Sequence, residues 1–336
     1  VLSVVGFSDR AQVFIPARRN PDKREASALL DGIRADGGTE IYQGLLEALS
    51  QINRRRSSGY VNHIILLTDG QTYGDEQQCL DISREAADRG ITISAIGIGT
   101  DWDDELLDAI AENSGGSVHY SRDANGIVQS FRESIEHLTS VSVPQLLFTV
   151  RMAGGVSLHG IFKLTPSLTR LSANESRFLL GPLSTHGRQS ILLEIVLPPL
   201  PPGSHRLLQA EVSAATTEQG NGGTTAEQTL SLSFVDHPHS SEPVPQRITE
   251  VLRQVTIYQI QEKALADAKS GRLDAATARL ESIATKLLDY GETVLAKAAL
   301  REAEQLAKTG LLSAEGKKNL KYGTRNLSKP APGQPQ

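Results

Sequence analysis

The chain has 336 residues, a formal net charge of −5 and only 4% aromatic side chains. That length accommodates two or three domains with cores of their own, and the mild acidity gives no electrostatic reason to expect nucleic acid as a partner. The single cysteine, Cys79, excludes an intrachain disulfide framework and a cysteine-rich zinc site, and it fits a reducing compartment such as the cytoplasm.

The opening residues, "VLSVVGFSDRAQVFIP", read as a strand already in progress. They have no basic leader and no small-residue cleavage site, so the start reads as a cut within a domain. Leu2 to Phe7 and Gln12 to Ile15 are predicted strands joined by the polar turn Ser8–Ala11. Helical periodicity follows at Lys23–Ile33 and, after the break "RADGGTE", at Ile41–Arg54. In the second helix Ile41, Leu45, Leu46, Leu49 and Ile52 share one face. His63–Thr68, Thr92–Ile98 and Ser117–Ser121 are predicted strands, alternating with helices over Asp75–Arg89, Asp104–Asn113 and Asn125–Leu138. Apolar strands alternating with helices predict a doubly wound, mostly parallel α/β sheet of Rossmann-like type over residues 1–139.

Residues 141–236 change texture. Short β-rich runs such as "QLLFTVRM", "SRFLLGPL", "SILLEIVL" and "TLSLSFV" are separated by Pro- and Gly-rich turns, which predicts an all-β sandwich. "DHPHSSEPVP" reads as a linker. Residues 246–312, rich in Ala, Leu, Glu and Lys, predict a helical hairpin or small bundle. Residues 313–336 predict a basic, disordered tail. No apolar run in the sequence reaches the length of a membrane span.

In an open parallel sheet, ligands bind beyond the carboxyl ends of the strands. Asp69, in "HIILLTDGQTYGD", sits at such an end, and Thr39, in "DGGTEIYQGL", precedes a helix. A carboxylate and a hydroxyl suit a hard, oxygen-loving cation. Gly37, Gly38 and Gly70 would let backbone approach closely. Read alone, Asp69 would shape a turn and Thr39 would cap the following helix.

These stretches, with "ITISAIGIGTDWDDELLDAIAENSGGSVHY", resemble a von Willebrand factor type A domain from Val1 to about Leu138. The resemblance implies a metal-ion-dependent adhesion site holding one divalent cation (Mg²⁺, Mn²⁺ or Ca²⁺) for a partner protein's carboxylate. It makes Thr39 and Asp69 two of five protein ligands and implies binding rather than catalysis. The other three belong to an Asp-x-Ser-x-Ser loop after the family's first strand, and no such loop stands in position here. The missing strand would be central in the sheet, between the family's second and fourth strands. The remaining ligands are therefore expected upstream of Val1, and without them the chain should hold a cation weakly or not at all. Two alternatives accompany this expectation. One is an accessory, substrate-presenting subunit of an ATPase or chelatase-like machine. The other is a metal-independent scaffold that binds through the helical C-terminal segment.

Other candidates have simpler readings. Arg54–Arg56 complements a helix dipole, and the acids of Asp101–Asp108 open a helix. Cys79 is a small buried hydrophobe, and His237 and His239 belong to the linker. The basic run Lys317–Lys329 is a solvated terminus. "GIGTDW" is no dinucleotide loop, because Trp102 stands where a third glycine is required, and no phosphate-loop or hydrolase motif occurs.

Overall fold

The computed structural model describes residues 1–19, 21–34, 37–55, 60–185, 187–215, 224–236 and 243–328. Two compact units emerge, one of residues 1–147, 179–187 and 212–225, the other of residues 148–178, 188–211 and 226–336.

The first unit opens with an antiparallel pair, β1 (Leu2–Phe7) and β2 (Ala11–Arg18), in which Gly6 lies opposite Gln12. Helix α1 (Lys23–Asp31) follows, two residues shorter than its periodicity indicates, and Asp22 caps it by accepting the amides of Arg24 and Glu25. Helix α2 (Ile41–Arg54) has the predicted bounds. It buries Ile41, Leu45 and Leu49, but Leu46 is 45% exposed, because buried Gly44 takes the inward position and packs on Phe7.

The chain then alternates β3 (Asn62–Thr68), α3 (Glu76–Asp88), β4 (Ile91–Ile98), α4 (Asp104–Ser114), β5 (Val118–Ser121) and α5 (Ala124–Thr139). Strands β3, β4 and β5 form a parallel sheet with β4 in the middle, Asn62 opposite Ile91 and Ala95 opposite Val118. The run "ITISAIGI" is apolar almost throughout because β4 has neighbours on both edges and layers on both faces. Asp103 caps α4 by accepting the amides of Glu105 and Leu106, as acids at a helix start should. Among the described residues no strand joins β1 to β3, the place where the resemblance puts the family's first strand.

Among the described residues seven strands follow: β6 (Val141–Met152), β7 (Ser157–Lys163), β8 (Thr169–Leu171), β9 (Arg177–Ser184), β10 (Ile191–Val196), β11 (Gly203–Ala215) and β12 (Thr225–Phe234). They make one sheet in the order β10-β7-β8, antiparallel throughout, and another in the order β12-β11-β6-β9. Strand β7, "SLHGIFK", has no clean period-two pattern because three consecutive side chains, Ile161, Phe162 and Lys163, are all buried.

Among the described residues the second unit closes with four α-helices, α6 (Gln246–Lys269), α7 (Leu273–Asp289), α8 (Thr293–Thr309) and α9 (Ala314–Arg325), and a 3-10 turn at Asn326–Ser328. Leu280, Ile283, Leu287, Ala296, Ala299, Leu306 and Leu320 form its core. Phe162 of β7 meets Tyr258 of α6 edge-on at 6.4 Å, in a smaller cluster with Leu168 and Val255. Burial, reinforced by the neighbouring Glu262 carboxylate, pushes the Tyr258 phenol well above its ordinary range.

The C-terminal segment corrects the expectation of a disordered tail. Residues 314–325 are helical, and Gly316, Leu320 and Thr324, each four residues apart, line one inward face. Ser313 caps this helix through the Gly316 amide, and buried Glu302 of α8 accepts both the Ser313 amide, at 2.8 Å, and its hydroxyl, at 2.7 Å. The lysines do not keep the segment in solvent, because long basic side chains can lay their stems along an apolar surface. Lys329 and the residues after it lie outside the described residues, as do His237 and His239.

Candidate functional site at the strand ends

Three turns of the first unit converge beyond the carboxyl ends of β1 and β3. The first is Ser8–Arg10, between β1 and β2. Its Asp9 carboxylate accepts the Gly38 amide at 2.7 Å, and the Ser8 carbonyl accepts the Glu40 amide at 2.8 Å. The glycine loop is thereby held at both ends of Thr39. Gly37 has a left-handed φ of +81°, and a Cβ there would lie 2.8 Å from Asp9 Oδ2, so both its conformation and its surroundings demand glycine.

The second turn is the glycine loop itself, and the third follows β3. A Cβ on Gly70 would lie 2.7 Å from Thr39 Oγ1, so the backbone next to Asp69 runs directly beside the Thr39 hydroxyl. Both predicted ligands therefore sit on abutting loops. Asp69 is exposed and Thr39 half-buried. Among the described residues neither side chain is engaged by a hydrogen bond or an ion pair. Thr39 does not cap α2, whose N-cap residue is Glu40 and whose first amides find their acceptors elsewhere.

Those acceptors come from the third turn and have no counterpart in the sequence reading. Thr72 Oγ1 accepts the Ile41 amide at 3.2 Å, and Asp75 Oδ2 accepts the Tyr42 amide at 3.0 Å. The Thr72 hydroxyl also donates to Asp75 Oδ1. Asp75 is the N-cap residue of α3 yet gives that helix no side-chain cap. The only available signal was the acid four residues before Cys79, and its target cannot be guessed from spacing.

Nearby, Cys79 is fully buried, and burial, helped by the Asp75 and Glu76 carboxylates, pushes its thiol up to about 12. It is held as the neutral thiol, which matches its reading as a small hydrophobe. Trp102 is 2% exposed and donates from its indole nitrogen to the Gly99 carbonyl at 3.0 Å, while its ring lies against Gly97. The stretch that looks like the start of a dinucleotide loop is thus filled by an indole. Arg54 closes the last turn of α2, and Arg56 lies outside the described residues.

As a test of fit for a divalent cation, the donors are of the right kind. Two oxygens, one of them anionic, lie on loops that glycine allows to touch. The donor number is short of a full shell: no group of three or more His, Cys, Asp or Glu side chains gathers for a metal among the described residues.

Comparisons with known proteins identify two domain families in the chain. Residues 2–133 match the von Willebrand factor type A domain family. That part of the chain is a von Willebrand factor type A domain, a class that commonly mediates protein interactions. Residues 246–330 match a second family, the Sll0103-like, C-terminal alpha-helical domain, so the chain combines the two. The Synechocystis protein sll0103 is 26% identical over 292 residues, covering 84% of this chain and 66% of its own length. Protein YfbK of Escherichia coli is 24% identical over 153 residues, covering 44% of this chain and 25% of its own. The chain thus spans just under two thirds of the first curated relative and a quarter of the second. A solved von Willebrand factor type A structure from Catenulispora acidiphila superposes with a TM-score of 0.76 at 20% identity, covering 96% of this chain and 80% of that one. That likeness extends the shared fold well beyond the first domain. No helix of the described residues is long and apolar enough to cross a membrane.

Proposed function

We propose that this protein binds a partner protein through a divalent-cation site to which Thr39 and Asp69 contribute ligands. The observation that carries the reading is the pairing of two uncommitted oxygens on loops in contact, a carboxylate and a hydroxyl, at the carboxyl ends of the strands. A cation bound there would supply a positive centre for a carboxylate of the partner. Asp69 would neutralise part of its charge, Thr39 would orient it, and the Asp9–Gly38 bond would keep the glycine loop from closing over it. Two protein oxygens cannot complete an octahedral shell, so further ligands must come from groups other than Thr39 and Asp69. The chemistry needed is binding, and no step requires a nucleophile or a general base.

The test is a melting curve of the full-length gene product and of its Asp69→Ala variant, with and without millimolar Mg²⁺ or Mn²⁺. A bound ligand raises the melting temperature according to its affinity. The reading predicts an increment in the wild type that Asp69→Ala removes. Equal increments in the two proteins would refute it. Partner capture that persists in chelator and survives deletion of Val1–Thr139 would move the function to the C-terminal helices.

A further inference from the structure

The loops carrying Thr39 and Asp69 are joined by bonds that ligation itself does not require. Thr72 and Asp75, 4% and 8% exposed, stand three and six residues beyond Asp69. Both direct their side chains to the first turn of α2, whose Ile41 amide is two residues beyond Thr39. An aspartate at an N-cap ordinarily accepts amides of its own helix. Asp75 gives up that role and accepts from an amide 33 residues away in sequence, while the Thr72 hydroxyl braces its other oxygen. Gly74, with φ +84°, turns the chain so that Thr72 and Asp75 can reach the same helix end.

We propose that Thr72 and Asp75 are positioning residues for the Thr39–Asp69 pair. They fix the start of α2, and with it Thr39, against the strand end that carries Asp69. This inference rests on the cation reading above. Its physical basis is that two ligands on separate loops act on one ion only if their spacing is held to within about 0.5 Å. Gly70 lets the loops touch, and the Thr72–Asp75 latch keeps them from sliding. The latch makes no contact with the ion. It sets the geometry in which the ligands wait.

The experiment titrates the full-length gene product with Mn²⁺ and follows broadening of the Thr39 and Gly70 amide signals, alongside amide exchange at Ile41 and Tyr42 and the metal-free melting temperature. Thr72→Val keeps the shape and removes the hydroxyl, and Thr72→Ser restores the hydroxyl. Asp75→Asn keeps one acceptor and serves if Thr72→Val does not fold. The inference predicts that Thr72→Val, or in its place Asp75→Asn, binds Mn²⁺ about 10- to 100-fold more weakly, the range for groups that orient metal ligands, and that Thr72→Ser recovers it. If wild type and Asp69→Ala respond alike, the cation reading falls and the inference falls with it. If Asp69→Ala alone loses Mn²⁺, while Thr72→Val merely melts earlier and exchanges faster, the latch is only a helix cap and the inference is overturned by itself.

Discussion

Gly97→Ala is the sharpest test of how the strand ends are packed. Gly97 lies on β4, and a Cβ there would fall 2.1 Å from Trp102 Cε2 and 2.3 Å from Cζ2, inside the indole ring. The ring has little room to retreat. It is 2% exposed, tied to the Gly99 carbonyl at 3.0 Å, and 6.2 Å from the Tyr120 ring. Overpacking of this kind costs about 1–3 kcal/mol, and full expulsion of the tryptophan would approach the ~3–5 kcal/mol of a large-to-small core change. In a domain of ~150–250 residues each kcal/mol moves the melting temperature by about 2–4 °C, so overpacking alone should lower it by about 2–12 °C. Trp102 is the only tryptophan in the chain, so its emission reports this site alone. Gly97→Ala should shift that emission to longer wavelength as the ring meets water. Unchanged emission together with an unchanged melting temperature would refute the packing argument.

Other outcomes follow from the same physical reasoning. Glu302→Ala removes the acceptor of the Ser313 amide and hydroxyl. It should cost about 1 kcal/mol, because the Ser313 donors left without a partner are half-buried and water can reach them in part, read as early loss of α9 amide protection. Asp267 accepts from Arg279 at 2.7 Å and from Arg272 at 2.6 and 2.9 Å, and these guanidinium groups hold its carboxyl below the usual range. Its folded value is lower than its unfolded one of about 4, so its stabilisation is present above pH ~4 and is lost as pH falls through the folded value. The stability gap between wild type and Asp267→Asn should therefore be full at neutral pH and shrink on acidification below pH ~4, measured by denaturant melts. Cys79, with its thiol pushed up to about 12, should resist iodoacetamide at pH 8 until the protein is denatured. Alkylation of the folded protein at the rate of a free thiol would contradict its burial.

Much of the first domain was legible because its signals are local. The run Ile91–Ile98 is apolar because β4 is covered on both faces, and that is visible without coordinates. The Asp69 and Thr39 pair was visible as two motifs in order, and the structure brings their loops into contact. What was hidden depends on tertiary placement. The turn Ser8–Ala11 reads as a connector, yet Asp9 braces the glycine loop 29 residues away. Thr72 and Asp75 read as turn residues and the start of a helix, yet their oxygens serve a different helix. Helix α9 was concealed by its lysines, since a count of charges drew attention from the four-residue spacing of Gly316, Leu320 and Thr324. Strand β7 was concealed for a related reason: with Ile161, Phe162 and Lys163 all inside, it shows no alternation to detect.

The central claim is cation-dependent partner binding at Asp69, and affinity capture tests it most directly. Wild type and Asp69→Ala would each be immobilised, exposed to an extract of the producing cell in Mg²⁺, washed, and eluted with chelator. The account predicts proteins that the wild type retains in Mg²⁺ and releases into chelator, and that Asp69→Ala never retains. Identical chelator eluates from the two proteins would contradict it.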